Sequence, residues 1–228
     1  GNALQAAASK GNKSLVQLLL DRGADANAKG GRYGNALQAA TEKEDELVVQ
    51  LLLAHGADVN AAGGYYGNPL EAAVLKGNRS LVQLLLEHKA NMNAPCGEYG
   101  NALQAATEKE DEPVVRLLLE HGAEADVNAK GGSYGHALQA AAVQGNESVV
   151  RLLLDRGANV HARGGHSGNA LQAAARIGNE VVVRLFLERG ADVNAQGGRF
   201  GNALQAAAAK GNESLVQLFL DRGADANA

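Results

Sequence analysis

The chain has 228 residues, 46 % of them hydrophobic and 4 % aromatic, with no tryptophan and a formal net charge of −4. That acidity excludes a general nucleic-acid binder, which would be clearly basic. A single cysteine, Cys96, excludes an internal disulfide and suits a reducing, intracellular and cytoplasmic setting. No apolar run approaches the roughly 18 residues of a membrane span, and no signal peptide is visible.

The first unit runs from Gly1 to Tyr33. Asn2 precedes Ala-Leu-Gln-Ala-Ala-Ala and is a good N-cap ahead of strong helix formers. The pattern predicts a short helix over Ala3–Lys10, ended by Gly11. A second helix is predicted over Lys13–Arg22. Its Leu15, Val16, Leu18, Leu19 and Leu20 are apolar nearly all round, so it should be sandwiched between neighbours. Gly23 supplies a left-handed residue past its end. Ala24-Asp25-Ala26-Asn27-Ala28 reads as a turn of short polar side chains, and Gly30-Gly31 as a hairpin tip.

The opening motif GNALQAA then returns at Gly34, Gly67 (GNPLEAA), Gly100, Gly135 (GHALQAA), Gly168 and Gly201. The step is constant except between Gly100 and Gly135, where two residues are added. A fixed period of this size means one supersecondary unit copied and stacked. The expectation is a single array over 1–228, with units starting near 1, 34, 67, 100, 135, 168 and 201 and the last one truncated. Neither helix is long enough to be stable alone, so stability must come from each unit leaning on the next. The chain starts inside a unit and without Met, which reads as a piece of a longer protein.

Differences between copies are informative. Glu44 and Glu110 replace the glycine between helices in repeats two and four, whose shared Thr-Glu-Lys-Glu-Asp-Glu suggests duplication of a two-repeat block. Pro69 and Pro113 fall in first helical turns, where proline is tolerated. Lys89 stands where other copies have glycine, at a cost of roughly 1 kcal/mol if its backbone is left-handed. The added residues are most simply Glu124-Ala125, predicting a surface bulge that leaves repeats four and five in register.

The unit resembles the ankyrin repeat. Ala57-Asp58-Val59-Asn60-Ala61 looks like the family's turn and Leu18-Leu19-Leu20 like its second-helix core, while Asn35–Thr41 replaces TPLHLAA. The GGxYGNALQAA variant is similar to arrays in large fungal proteins. The resemblance implies an all-α ankyrin-type α-solenoid of about seven helix-turn-helix repeats joined by hairpin-like loops. It also implies non-catalytic protein–protein recognition on a concave face made by hairpin tips and first helices.

No residues suggest catalysis, a cofactor or a metal. His55, His88 and His121 recur one unit apart, too far to share an ion, and suit helix C-termini as cations. Asp25, Asp58, Asp126, Asp192 and Asp225 are repeated turn residues. The glycine-rich tips precede six helices with no strand-and-crossover context, so they read as hairpins rather than phosphate cradles. The tips do vary, and they carry Lys29, Arg32, Tyr65, Glu98, Lys130, Arg163, His166 and Arg199. The following position reads Tyr33, Tyr66, Tyr99, Tyr134, Ser167 and Phe200, and is expected to form an aromatic ladder between hairpins. First helices end in Lys10, Lys43, Lys76, Lys109 and Lys210. Arg and Tyr are types enriched at hot spots. This basic edge on an acidic chain predicts a protein partner with an acidic or extended segment, and neither nucleic acid nor membrane. The apolar terminal units leave end-to-end self-association as the alternative.

Overall fold

The structure is a computed structural model and describes residues 1–95, 97–121 and 126–227. The exposed-thiol reading of Cys96 and the bulge at Glu124-Ala125 lie outside the described residues. Among the described residues, first helices are α1 (Ala3–Ser9), α3 (Ala36–Glu42), α5 (Pro69–Leu75), α7 (Ala102–Glu108), α9 (Ala137–Gln144), α11 (Ala170–Ile177) and α13 (Ala203–Ala209). Second helices are α2 (Lys13–Asp21), α4 (Glu46–Ala54), α6 (Arg79–Glu87), α8 (Glu112–Glu120), α10 (Glu147–Asp155), α12 (Glu180–Glu188) and α14 (Glu213–Asp221).

The caps explain where these helices start. Asn2, Asn35, Asn68, Asn101, Asn169 and Asn202 each accept the N–H three residues on, at 2.8–3.0 Å. His136 holds that place before α9 and gives no side-chain cap. Asp45 and Asp111 cap α4 and α8 in the same way, at 3.1 Å. A left-handed residue follows each first helix within two positions, including Glu44 and Glu110 at φ 60° and 59°.

The chain forms two compact units, Gly1–Gly97 with Glu120–Ala125, and Glu98–Leu119 with Asp126–Ala228. In the first, α1, α3 and α5 pack side by side, and each lies on its own second helix. In the second, α7, α9, α11 and α13 pack side by side, and α9, α11 and α13 lie on α10, α12 and α14. First helices are built on alanines such as Ala39, Ala40, Ala173 and Ala174, all fully buried, so neighbouring backbones come close. Val48, Leu52, Val182 and Phe186 fill the layer between first and second helices.

Second helices are less enclosed than their composition suggests. Leu47 and Val181, in first turns, are 57 % and 50 % exposed, and Leu15 and Leu18 of α2 face solvent. The helices are therefore covered on one face and part of two flanks, not sandwiched all round. Repeats four and five do stack in register: α7 packs on α9, and Gln144 donates to the Glu108 carbonyl at 3.1 Å.

Two rows of hydrogen bonds tie each unit together across repeats. Gln38 Nε2 donates to the carbonyls of Ala61, Gly63 and Gly67, which hold the hairpin after α4. Gln5, Gln104, Gln139 and Gln172 do likewise for theirs. In the outer row, Asn27 Nδ2 donates to Gly56 O while its Oδ1 accepts the Asp58 N–H. Asn60, Asn128 and Asn194 repeat this link. The aspartates close Asx turns, as when Asn27 N donates to Asp25 at 2.8 Å, so they are structural.

Lys89 has φ 68°, in the left-handed region. Lys89→Gly is expected to raise stability by about 0.5 kcal/mol in urea denaturation, because relieved strain is partly offset by the freedom of glycine in the unfolded chain. An unchanged or lower midpoint would show the position to be unstrained.

Candidate functional site

Each hairpin is closed by a backbone pair, as when Gly30 N donates to Gly34 O at 2.8 Å. Successive hairpins then meet backbone to backbone. A Cβ on Gly34, at φ 88°, would come 2.7 Å from Gly64 N, so only glycine permits this approach.

That contact overturns the expected aromatic ladder. Among the described residues the ring–ring pair is Tyr65 with Tyr66, edge to face at 5.0 Å within one hairpin. Four rings face nearby cations instead. Lys76 Nζ lies 5.9 Å from the Tyr66 ring, Lys109 Nζ 5.6 Å from Tyr99, Arg32 5.5 Å from Tyr33 and Arg199 6.0 Å from Phe200. Lys76 and Lys109, at the ends of α5 and α7, thus reach the ring that precedes each helix, and these lysines remain at the surface.

In the first unit, Lys10, Lys29, Arg32, Lys43, Tyr65 and Lys76 are exposed, and Tyr33 and Tyr66 are half-buried. Arg32 also meets Glu42 at 3.6 Å. In the second unit, Glu98, Lys109, Lys130, Arg163, His166 and Arg199 are exposed, and Tyr99 and Tyr134 are half-buried. The Arg199 N–H donates to the His166 carbonyl at 3.2 Å, joining two tips. Burial pushes the Glu108 carboxyl above its ordinary range; Lys109 opposes this and Glu98 adds to it. Arg176, which no sequence motif singled out, lines a cleft with Arg199 and Lys210.

The outer faces of second helices carry ion pairs one turn apart, such as Arg151–Glu147 at 2.7 Å. Hydrogen bonds from Ser148 and Arg116 hold the Glu112 carboxyl below its usual range. These exposed pairs contribute a few tenths of a kcal/mol each and suggest no chemistry. Among the described residues no group of three His, Cys, Asp or Glu side chains could hold a metal, and no helix is long and apolar enough to cross a membrane. His55 and His88 place Nδ1 at 2.8 and 2.9 Å from the carbonyls of Leu51 and Leu84, at helix ends.

A family model described as ankyrin repeats in three copies matches residues 1–63, 70–164 and 162–228. No curated protein matches the sequence. The crystal structure of the ankyrin repeat domain of Bcl-3, titled a unique member of the IkappaB protein family, is 26 % identical with a TM-score of 0.80, covering 95 % of this chain and 98 % of that one. The human ASB11 ankyrin repeat domain is 25 % identical with a TM-score of 0.77, covering 99 % of each chain. The fold is an all-α ankyrin-type solenoid of about seven helix-turn-helix repeats joined by hairpin-like loops. Such domains are generally protein–protein interaction modules and typically non-catalytic. The match spans nearly the whole sequence, and the chain belongs to the ankyrin-repeat family.

Proposed function

We propose that residues 1–228 act as one array, with units starting near 1, 34, 67, 100, 135, 168 and 201. It binds a partner protein without catalysis, through hairpin tips and the ends of first helices. The partner presents an acidic or extended segment, and the setting is intracellular and cytoplasmic. The observation that carries this is the cationic edge itself. Lys29, Lys43, Lys76, Lys109, Lys130 and Arg163 are exposed along the tips and first-helix ends of a chain whose net charge is −4. Exposed cations beside aromatic rings offer charge and stacking together.

A fluorescein-labelled peptide of about ten Glu, Asp and Gly residues tests this by anisotropy, because attraction between exposed charges fades as the Debye length shrinks. Binding at low salt should weaken at least about tenfold between roughly 50 and 300 mM salt. A Lys/Arg peptide of equal length should not bind. Salt-independent binding, or none to the acidic peptide at low salt, would refute the electrostatic part.

A second reading is favoured by Leu15 and Leu18, which are 40 % and 48 % exposed on α2 and form an apolar strip suited to self-association. Sedimentation velocity over a concentration series should then show dimer that Leu18→Gln removes. A monomer at every concentration would discard this reading.

A further inference from the structure

Equivalent positions close a gap in the first unit and open one in the second. Tyr33, Glu42, Tyr65 and Tyr66 line a cleft with room for about 10 Å³. Their counterparts are Ser167, Arg176, Arg199 and Phe200, and with Tyr134 and Lys210 these line a cleft of about 420 Å³. That volume lies within the range of sites that enclose a ligand group, roughly 300–1,000 Å³.

Two of these four differences bear most on the slot. Ser167 stands where the other hairpins carry Tyr33, Tyr66, Tyr99, Tyr134 or Phe200, so one ring is missing from the row. Arg176 stands where α3 and α7 carry Glu42 and Glu108, so the charge at the end of the helix is inverted. In the first unit the equivalent space is crossed by the Arg32–Glu42 pair. Among the described residues no carboxylate forms an ion pair with Arg176, Arg199 or Lys210. The result is an open slot with aromatic side chains and a rim of three uncompensated cations.

We propose that this slot takes one aromatic side chain of an acidic partner segment. The ring fills the place left by Ser167, between Tyr134 and Phe200, and flanking carboxylates meet Arg176, Arg199 and Lys210. Aromatic pairs and cation–π contacts favour a ring here over an aliphatic group. This deepens the acidic-segment reading and rests on it.

The test compares two labelled peptides of the same acidic sequence, one with a central phenylalanine and one with alanine there. The phenylalanine peptide should bind roughly tenfold tighter or better, as burial of one ring implies. Ser167→Tyr restores the residue of neighbouring hairpins and should erase that advantage while leaving the alanine peptide's affinity unchanged. Should that variant fail to fold, Phe200→Ala, which removes a ring from the slot's lining, should weaken the phenylalanine peptide and leave the alanine one unchanged. Equal affinity for the two peptides, or a preference that survives Ser167→Tyr, overturns the slot and leaves the acidic-segment reading standing. No binding of either peptide at low salt overturns both.

Discussion

Gln172→Ala is expected to destabilise the protein by about 3 kcal/mol, because one buried side chain that ties three backbone groups together is lost, leaving a void and an unpartnered carbonyl. Gln172 is 4 % exposed in α11. Its Nε2 donates to Ala195 O at 2.9 Å and Gly201 O at 3.0 Å, and its Oε1 accepts the Asn169 N–H at 3.0 Å. Alanine leaves the buried Ala195 carbonyl without its partner, while Gly201 O keeps the Gly197 N–H at 2.6 Å and the Asn169 N–H keeps Ser167 O at 3.2 Å. Each unsatisfied buried group costs roughly 1–3 kcal/mol, and the void adds to it. The loss should appear in the urea midpoint and as faster hydrogen exchange of amides in 195–201. A cost under about 0.5 kcal/mol would show that backbone contacts alone hold the hairpin. Gln172→Glu is a sharper control, since Glu71 already occupies the equivalent place in α5 and the shape fits. An ionised carboxylate has no proton to donate, so Gln172→Glu should destabilise at pH 7.5 and recover partly in acid, where the carboxyl regains a donor.

That glutamine row shows what a repeat hides. The asparagine caps, the left-handed glycines and the Asx turns were legible because their chemistry is complete within three or four residues. Gln38 was not, because its partners Ala61 and Gly67 lie on the next hairpin, while within its own helix glutamine is simply a good helix former. The rings misled for a related reason. A ring at every period invites a ladder, but the glycine backbones occupy the space between hairpins, and Tyr66 and Tyr99 turn to Lys76 and Lys109. The cationic edge was legible as a sum of exposed residue types. The slot was not, since Ser167 and Arg176 are each one change in one column until the fold sets them side by side.

His136→Asn should stabilise the protein by about 1 kcal/mol near neutral pH, and by more in acid. His136 is the N-cap of α9 with φ −145°, and it offers no side-chain bond to the helix start. Asparagine occupies that place in the other six repeats and accepts the N–H three residues on, here that of Gln139. The pH dependence follows from the imidazole. His136 is 9 % exposed, and burial holds its pKa below the ordinary 6.5; Gln139 and Asp126 oppose this and Lys130 adds to it. The folded state therefore disfavours the proton that the unfolded chain takes up on passing 6.5. Stability tied to His136 is complete above that value and falls as pH drops below it. Urea midpoints of the two proteins should consequently diverge between pH 7.5 and 5.5, with the variant losing less. The raised carboxyl of Glu108 is common to both and cancels in the difference. A gap that stays constant or narrows in acid would show that His136 takes up its proton as readily folded as unfolded, leaving the missing cap as its only effect.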